Sequence, residues 1–141
     1  MTEQEKFEAF KMNTLNEQEE KYGKELREKY DSKVVEASHQ HFKHLSKAQY
    51  DAAVAAENAL INELNTLLSQ NISDLDHPNA KSAFHHHKTW LEIMSGMYST
   101  SYHQNLAHMY IADERFSDYY NNKTIEDSVQ LLSDIIIRHT I

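Results

Sequence analysis

Apolar positions repeat at helical spacing along most of this chain, and the spacing separates an N-terminal arm from a helical body. Beyond Ser46, the residues Tyr50, Val54, Ile61, Leu64 and Leu68 share one face, with Leu60 and Leu67 beside them. That pattern predicts a long helix reaching about Ser69. Ser46 is its expected N-cap, because Gln49 three places later completes a capping box. Phe84, His87, Leu91 and Met94 form a second stripe with Trp90 alongside, predicting a helix from about Asn79 to Gly96. Pro78 belongs near its first turn and Gly96 closes it. Ser99 or Thr100 caps a further helix bearing Leu106, Met109 and Tyr110, after which Ala112–Phe116 interrupts. Thr124 then caps a last helix whose inner face is Ile125, Val129, Leu132 and Ile136, widened by Leu131 and Ile135. With a shorter piece from Lys33 to about His44, the body has five main helices.

Residues 1–32 read differently. They are highly charged, and Phe7, Phe10, Leu15 and Tyr22 make only a thin apolar stripe. A helix of that kind is marginal alone and needs a partner surface. Two readings stay open: a solvated helical arm, or a segment that becomes ordered when a ligand or another chain is present. The expected organisation is therefore an arm over 1–32 and a helical ligand-binding domain over 33–141.

Composition supports an all-α class. In 141 residues there are two glycines, Gly23 and Gly96, and one proline, Pro78, too few for the turns of a β-rich fold or the phosphate loops of an α/β one. Cysteine is absent, which excludes disulfides, thiolate catalysis and cysteine-based metal centres, and fits the cytoplasm. No apolar run approaches a membrane span, and the first residues lack the basic and apolar parts of a signal peptide. The formal net charge is −8, and the 14 Lys and Arg are scattered among 22 Asp and Glu. Direct nucleic-acid contact by this chain is not expected, because it would need a basic face.

Ten histidines raise the question of a metal. His85, His86 and His87 are consecutive, so on a helix they point about 100° apart and cannot converge on one ion. His41 and His44 are suitably spaced, but no further ligand pattern accompanies them. Neither a metal nor a cofactor is expected, and no spacing identifies a haem ligand. Catalytic signals are equally thin: no nucleophile elbow, no glycine-rich loop and no isolated acid–base pair stands out, so no catalytic residue is nominated. More informative is the crowd of aromatic and Met side chains between Trp90 and Tyr120. Such side chains are usually core, yet Tyr and Trp have polar tips that want partners and Met adapts to varied shapes. A pocket lined by them suits a large, flat, partly aromatic ligand.

The ordered run His87, Trp90, Leu91, then His103, Leu106, Met109, Tyr110, Asp113, Arg115, Phe116 and Tyr119–Tyr120 resembles the TipAS family of antibiotic-recognition domains. Its HxxW(I/L) and HxxLxxMYxxDxRF patterns occur in order and at matching spacing. Upstream, Tyr22, Gly23, Leu26, Arg27 and Tyr30 are similar to the family's tyrosine–glycine segment, and Ser46 to Tyr50 to its helix start. The resemblance implies a globin-like helical fold without haem. It further implies a deep apolar cleft for peptide-like antibiotics, with the N-terminal segment ordering over the ligand. It places such domains behind the DNA-binding half of MerR-type transcription activators, a half not found in this sequence, or alone as drug-sequestering resistance proteins. Some members capture a dehydrated thiopeptide on a cysteine near the position of Tyr98. Here none exists, so binding is expected to be reversible. A Pro-Gly-Leu step before the last helix is replaced by Ile125, Glu126 and Asp127.

Within the motif, Asp113 and Arg115 flank an interhelical turn, where the carboxylate accepts backbone N–H groups and the guanidinium donates to helix-end carbonyls. His87 is either a hydrogen-bonded core histidine or a polar contact in the cleft, and His103 faces the same choice. The expected ligand-binding residues are His87, Trp90, Met94, Tyr98, Tyr102, His103 and Tyr110. The leading expectation is a non-catalytic domain that reversibly binds a bulky, largely apolar antibiotic. The rival is a helical protein-interaction or homodimerisation module using the N-terminal stripe.

Overall fold

The long helix expected after Ser46 packs most extensively on the helix that follows it, and the C-terminal helix packs chiefly on the one that begins at Thr100. The computed structural model describes residues 1–29 and 31–141, and for Leu26 and Lys29 the backbone alone. The expected roles of Tyr30 and of the Leu26 side chain lie outside the described residues. Seven helices occur among the described residues: α1 (Glu3–Lys29), α2 (Ser32–Lys43), α3 (Lys47–Ser69), α4 (Pro78–Ser95), α5 (Thr100–Ala112), α6 (Glu114–Asn121) and α7 (Val129–Thr140). The chain is all-α. No described helix is long and apolar enough to cross a membrane.

Several boundaries follow the sequence signals. The Ser46 hydroxyl accepts the Gln49 N–H at 3.1 Å while the Gln49 amide oxygen accepts the Ser46 N–H at 2.9 Å, a complete capping box. Pro78 opens α4, and Gly96 ends it with a left-handed φ of 70°. Ser99, not Thr100, caps α5 by accepting the Tyr102 N–H at 3.0 Å.

Three expectations need correction. Ala112–Phe116 interrupts the helix at one residue only. Asp113 is extended, and its carboxylate accepts the Arg115 N–H at 3.0 Å, which opens the additional helix α6. The last helix starts at Val129 rather than Thr124. The Asn121 side chain reaches across from the end of α6 to accept the Ser128 and Val129 N–H groups at 2.8 and 3.0 Å, so the cap comes from seven residues upstream. Thr124 instead knits the connecting loop, its hydroxyl 2.7 Å from the Glu126 carbonyl, and Ile125 is 63% exposed rather than internal. On α3 the inner face is rotated from the expected one. Leu60, Leu64 and Leu67 are enclosed with Ala53 and Ala56, while Val54 is exposed and Ile61 and Leu68 are half-buried.

The core forms where α3 lies on α4 and α7 closes the far side. Leu60, Leu64 and Leu67 meet Ala80, Ala83 and Phe84, whose two alanines leave room for close helix approach, and Leu132, Ile135 and Ile136 complete the cluster. Each enclosed leucine or isoleucine contributes about 2–3 kcal/mol of burial. Tyr110 and Tyr120 belong to the same cluster, which brings hydroxyls into an otherwise apolar interior. Those hydroxyls lead toward the site.

Candidate functional site

Along α1, the residues Phe10, Thr14, Gln18 and Tyr22 are each four apart and so share one face. That face does not close on the body. It forms one wall of a cleft of about 650 Å³. Opposite stand Tyr50, Ala53 and Glu57 of α3, Trp90 and Met94 of α4, Met109 and Tyr110 of α5, and Phe116 and Tyr119 of α6, with Lys123 just beyond. Glu57 and Lys123 are the only charged residues in this wall among the described residues. A second pocket of about 200 Å³ adjoins it between α1, α2 and α5, sharing Gln18, Leu106 and Met109.

The cleft stays open because α1 is fastened near its two ends. At one end Phe7 is buried against Tyr50, with ring centroids 5.6 Å apart. Lys11, only 1% exposed, donates to the carbonyls of Lys43 and Leu45 at 2.7 and 2.8 Å, which are unpaired carbonyls at the end of α2. A cation there also complements the negative end of the α2 dipole, and Glu8 stands 3.1 Å from the ammonium. At the other end Tyr22 packs on Phe116 at 5.3 Å, and Arg115 grips the Glu25 carboxylate with two bonds of 2.7 and 2.5 Å. The expectation for Asp113 thus holds for its N–H acceptance. Among the described residues Arg115 donates to no helix-end carbonyl; it ties α6 to α1 through Glu25 and also binds Asp113. Adjacent carboxylates hold its guanidinium above the ordinary arginine value, Asp113 first and then Glu25.

Of the seven residues expected to bind ligand, Trp90, Met94 and Tyr110 line the cleft, and Tyr102 lines the smaller pocket. His87, His103 and Tyr98 line neither; they form a polar chain behind the wall. The Tyr98 hydroxyl is 2.8 Å from His103 Nδ1, His103 Nε2 is 2.7 Å from His87 Nδ1, and His87 Nε2 is 3.1 Å from the Tyr110 hydroxyl. The Tyr120 ring meets that of Tyr110 edge-on, with centroids 5.3 Å apart, and its hydroxyl donates to Glu57 Oε2 at 3.2 Å. Glu57 only accepts, so Tyr120 donates to it; along the histidine chain each gap takes one proton, with the donors running in one sense from Tyr98 to Tyr110 or in the reverse sense. Every bond then has one proton, and both imidazoles are neutral. Two N–H groups would meet in the 2.7 Å gap between the histidines only if both rings were doubly protonated.

Electrostatics agree with that assignment. The imidazoles are stacked 4.9 Å apart and fully enclosed. Burial, then the charge of His103, drives His87 well below its ordinary value, and burial, then the charge of Lys88, brings His103 down to about 4. Burial raises Tyr119, with the Glu57 charge next. Burial likewise raises Tyr120, and there the Tyr110 and Glu57 charges follow. The consecutive histidines diverge as expected: His85 is exposed, His86 is 3.2 Å from the Ser82 hydroxyl, and His87 is internal. No group of three His, Asp or Glu converges among the described residues.

Glu57 is the cleft residue that sequence reasoning passed over. It had a visible signal, because it falls in register with Ala53, Leu60 and Leu64, where a carboxylate has no ordinary place. Phe10 and Tyr22 belong to the apolar stripe visible in the sequence, and the tertiary structure turns that stripe into a cleft wall. A model of the TipAS antibiotic-recognition domain matches residues 22–139. The match opens inside α1 at Tyr22 and runs through α7. No curated protein and no solved structure matches the chain.

Proposed function

Given that the chain belongs to the family of TipAS antibiotic-recognition domains, we propose that its cleft reversibly binds a bulky, largely apolar, peptide-like antibiotic and performs no chemistry on it. The cleft itself carries this reading. Its 650 Å³ lies within the range of small-molecule sites, and its aromatic and Met walls with a few polar groups are the usual composition of one. No cysteine is present to hold the drug covalently, so occupancy follows free concentration. As part of a longer MerR-type activator the domain would report the drug to a DNA-binding half; alone in the cytoplasm it would sequester the drug.

The α1 helix is proposed as the element that a ligand stabilises, since Phe10, Thr14, Gln18 and Tyr22 would cover it. The same stripe already faces Tyr50 and Phe116 of this chain, which disfavours a role reserved for a second copy. Trp90 is the single tryptophan and stands in the cleft, so its fluorescence reports occupancy. Titration with a panel of thiopeptide and other peptide antibiotics is expected to give a saturable change with at least one member, matched by calorimetric heat. Absence of both for every member would refute the reading.

A further inference from the structure

Within the cleft, one group stands out chemically. Glu57 is 9% exposed, and both carboxylate oxygens lie 2.9 Å from the Tyr119 hydroxyl. Tyr120 donates to it at 3.2 Å. All of these partners are donors, as an ionised carboxylate requires, and two neutral hydroxyls orient the charge without cancelling it. Its only cationic neighbour among the described residues is Lys123, at a loose 3.4 Å. That ammonium also stands 4.4 Å from the centre of the Tyr119 ring, and its side chain is 39% exposed, so it can swing into water.

The arrangement of carboxylate, aromatic face and part-exposed lysine is that of a cation site whose occupant comes from the protein. An ammonium is a compact, strongly hydrated ion, costly to hold in a partly dry aromatic cleft. A cation spread over several rings keeps the attraction to Glu57 and to the tyrosine face with a smaller loss of hydration. It also fills the space that Lys123 leaves empty.

We infer that Glu57 is the specificity-determining residue of the cleft, selecting multi-ring compounds that carry a positive charge and seating that charge where the Lys123 ammonium now lies. This rests on the reading of the cleft as a drug site and narrows it to one charge class.

Tetraphenylphosphonium and tetraphenylborate have nearly the same shape and opposite charge, so they separate the two ideas. Each is titrated into the full chain, with Trp90 fluorescence and calorimetry as readouts. The phosphonium is expected to bind at least tenfold more tightly. Glu57→Gln should bring the two ions to within about twofold, whereas Glu126→Gln, an equal charge change at an exposed position, should leave the preference intact. Lys123→Met, which removes the competing ammonium, should tighten phosphonium binding severalfold. Equal binding of both ions, a preference that survives Glu57→Gln, or unchanged phosphonium affinity in Lys123→Met would overturn the inference and leave the cleft reading standing. Failure of both ions to bind would also overturn the inference, while the cleft reading stands or falls on the antibiotic titration. Circular dichroism checks each variant; if Glu57→Gln does not fold, Lys123→Met decides alone.

Discussion

Mild acid should destabilise this domain chiefly through the two stacked histidines. His87 and His103 have no exposed surface, and burial disfavours a charge on either ring of the chain from Tyr98 to Tyr110. In the unfolded chain each titrates near its ordinary value of about 6.5. The folded values are depressed, to about 4 for His103 and well below normal for His87. Unfolding therefore takes up protons. The stabilisation is complete above about pH 6.5 and is lost as pH falls from there toward the folded values. Each histidine then removes about 1.4 kcal/mol per pH unit, and the pair about 2.7. Between pH 7 and pH 5 the integrated loss is about 3–4 kcal/mol, a large share of the ~5–15 kcal/mol that holds a domain together. Tyr98, Tyr110 and Tyr120, which adjoin the pair, are all displaced upward and stay neutral throughout.

The perturbation that isolates the effect is His103→Gln, which keeps an amide donor toward His87 and removes one titrating ring. Urea unfolding followed by circular dichroism at pH 7, 6, 5.5 and 5 gives stability against pH for both proteins. The wild-type slope between pH 6 and 5 should exceed that of the variant by about 1.2 kcal/mol per pH unit, whatever the absolute loss in stability at pH 7. Equal slopes would refute the reasoning. So would nuclear magnetic resonance signals from either ring that titrate near 6.5 in the folded protein.

Three further perturbations test the frame around the cleft. Lys11→Met strands the Lys43 and Leu45 carbonyls and should cost about 1–3 kcal/mol, read as a selective loss of amide hydrogen-exchange protection over α1. Unchanged protection there would mean that α1 is not fastened by this contact. Gly96→Ala forces a side chain into a left-handed backbone and against the His41 ring, and should lower stability by about 2 kcal/mol or more in chemical denaturation, with His41→Ala restoring part of it. Asn121→Ala removes the remote cap of α7 and should cost about 1–2 kcal/mol, whereas Thr124→Val should leave the α7 cap bonds intact and the start of α7 protected from exchange.

Sequence alone determined what local physics can determine. The capping box at Ser46, the proline that opens α4 and the left-handed Gly96 depend on residues a few places apart, so they were legible as written. Scarce glycine and proline fixed the all-α class, and the ordered histidine, tryptophan and tyrosine spacing pointed to the family that matches residues 22–139. Misreadings arose where distant partners decide. Thr124 looked like a helix cap, but Asn121 supplies those bonds from the end of another helix. The face of α3 was read from its own hydrophobic residues, whereas contact with Ala80 and Ala83 of α4 selects Leu60 and Leu67 over Val54 and Leu68. Periodicity showed that His87 and His103 point inward. Only the packing of α4 on α5 decided that they bond to each other rather than to a ligand. Glu57 is the sharpest case: its place on an apolar stripe was visible, but its meaning needed Tyr119, Tyr120 and Lys123, more than sixty residues away, to converge on it. A hydrogen bond specifies its partner by geometry in three dimensions, and a one-dimensional pattern records only which groups are available to make it.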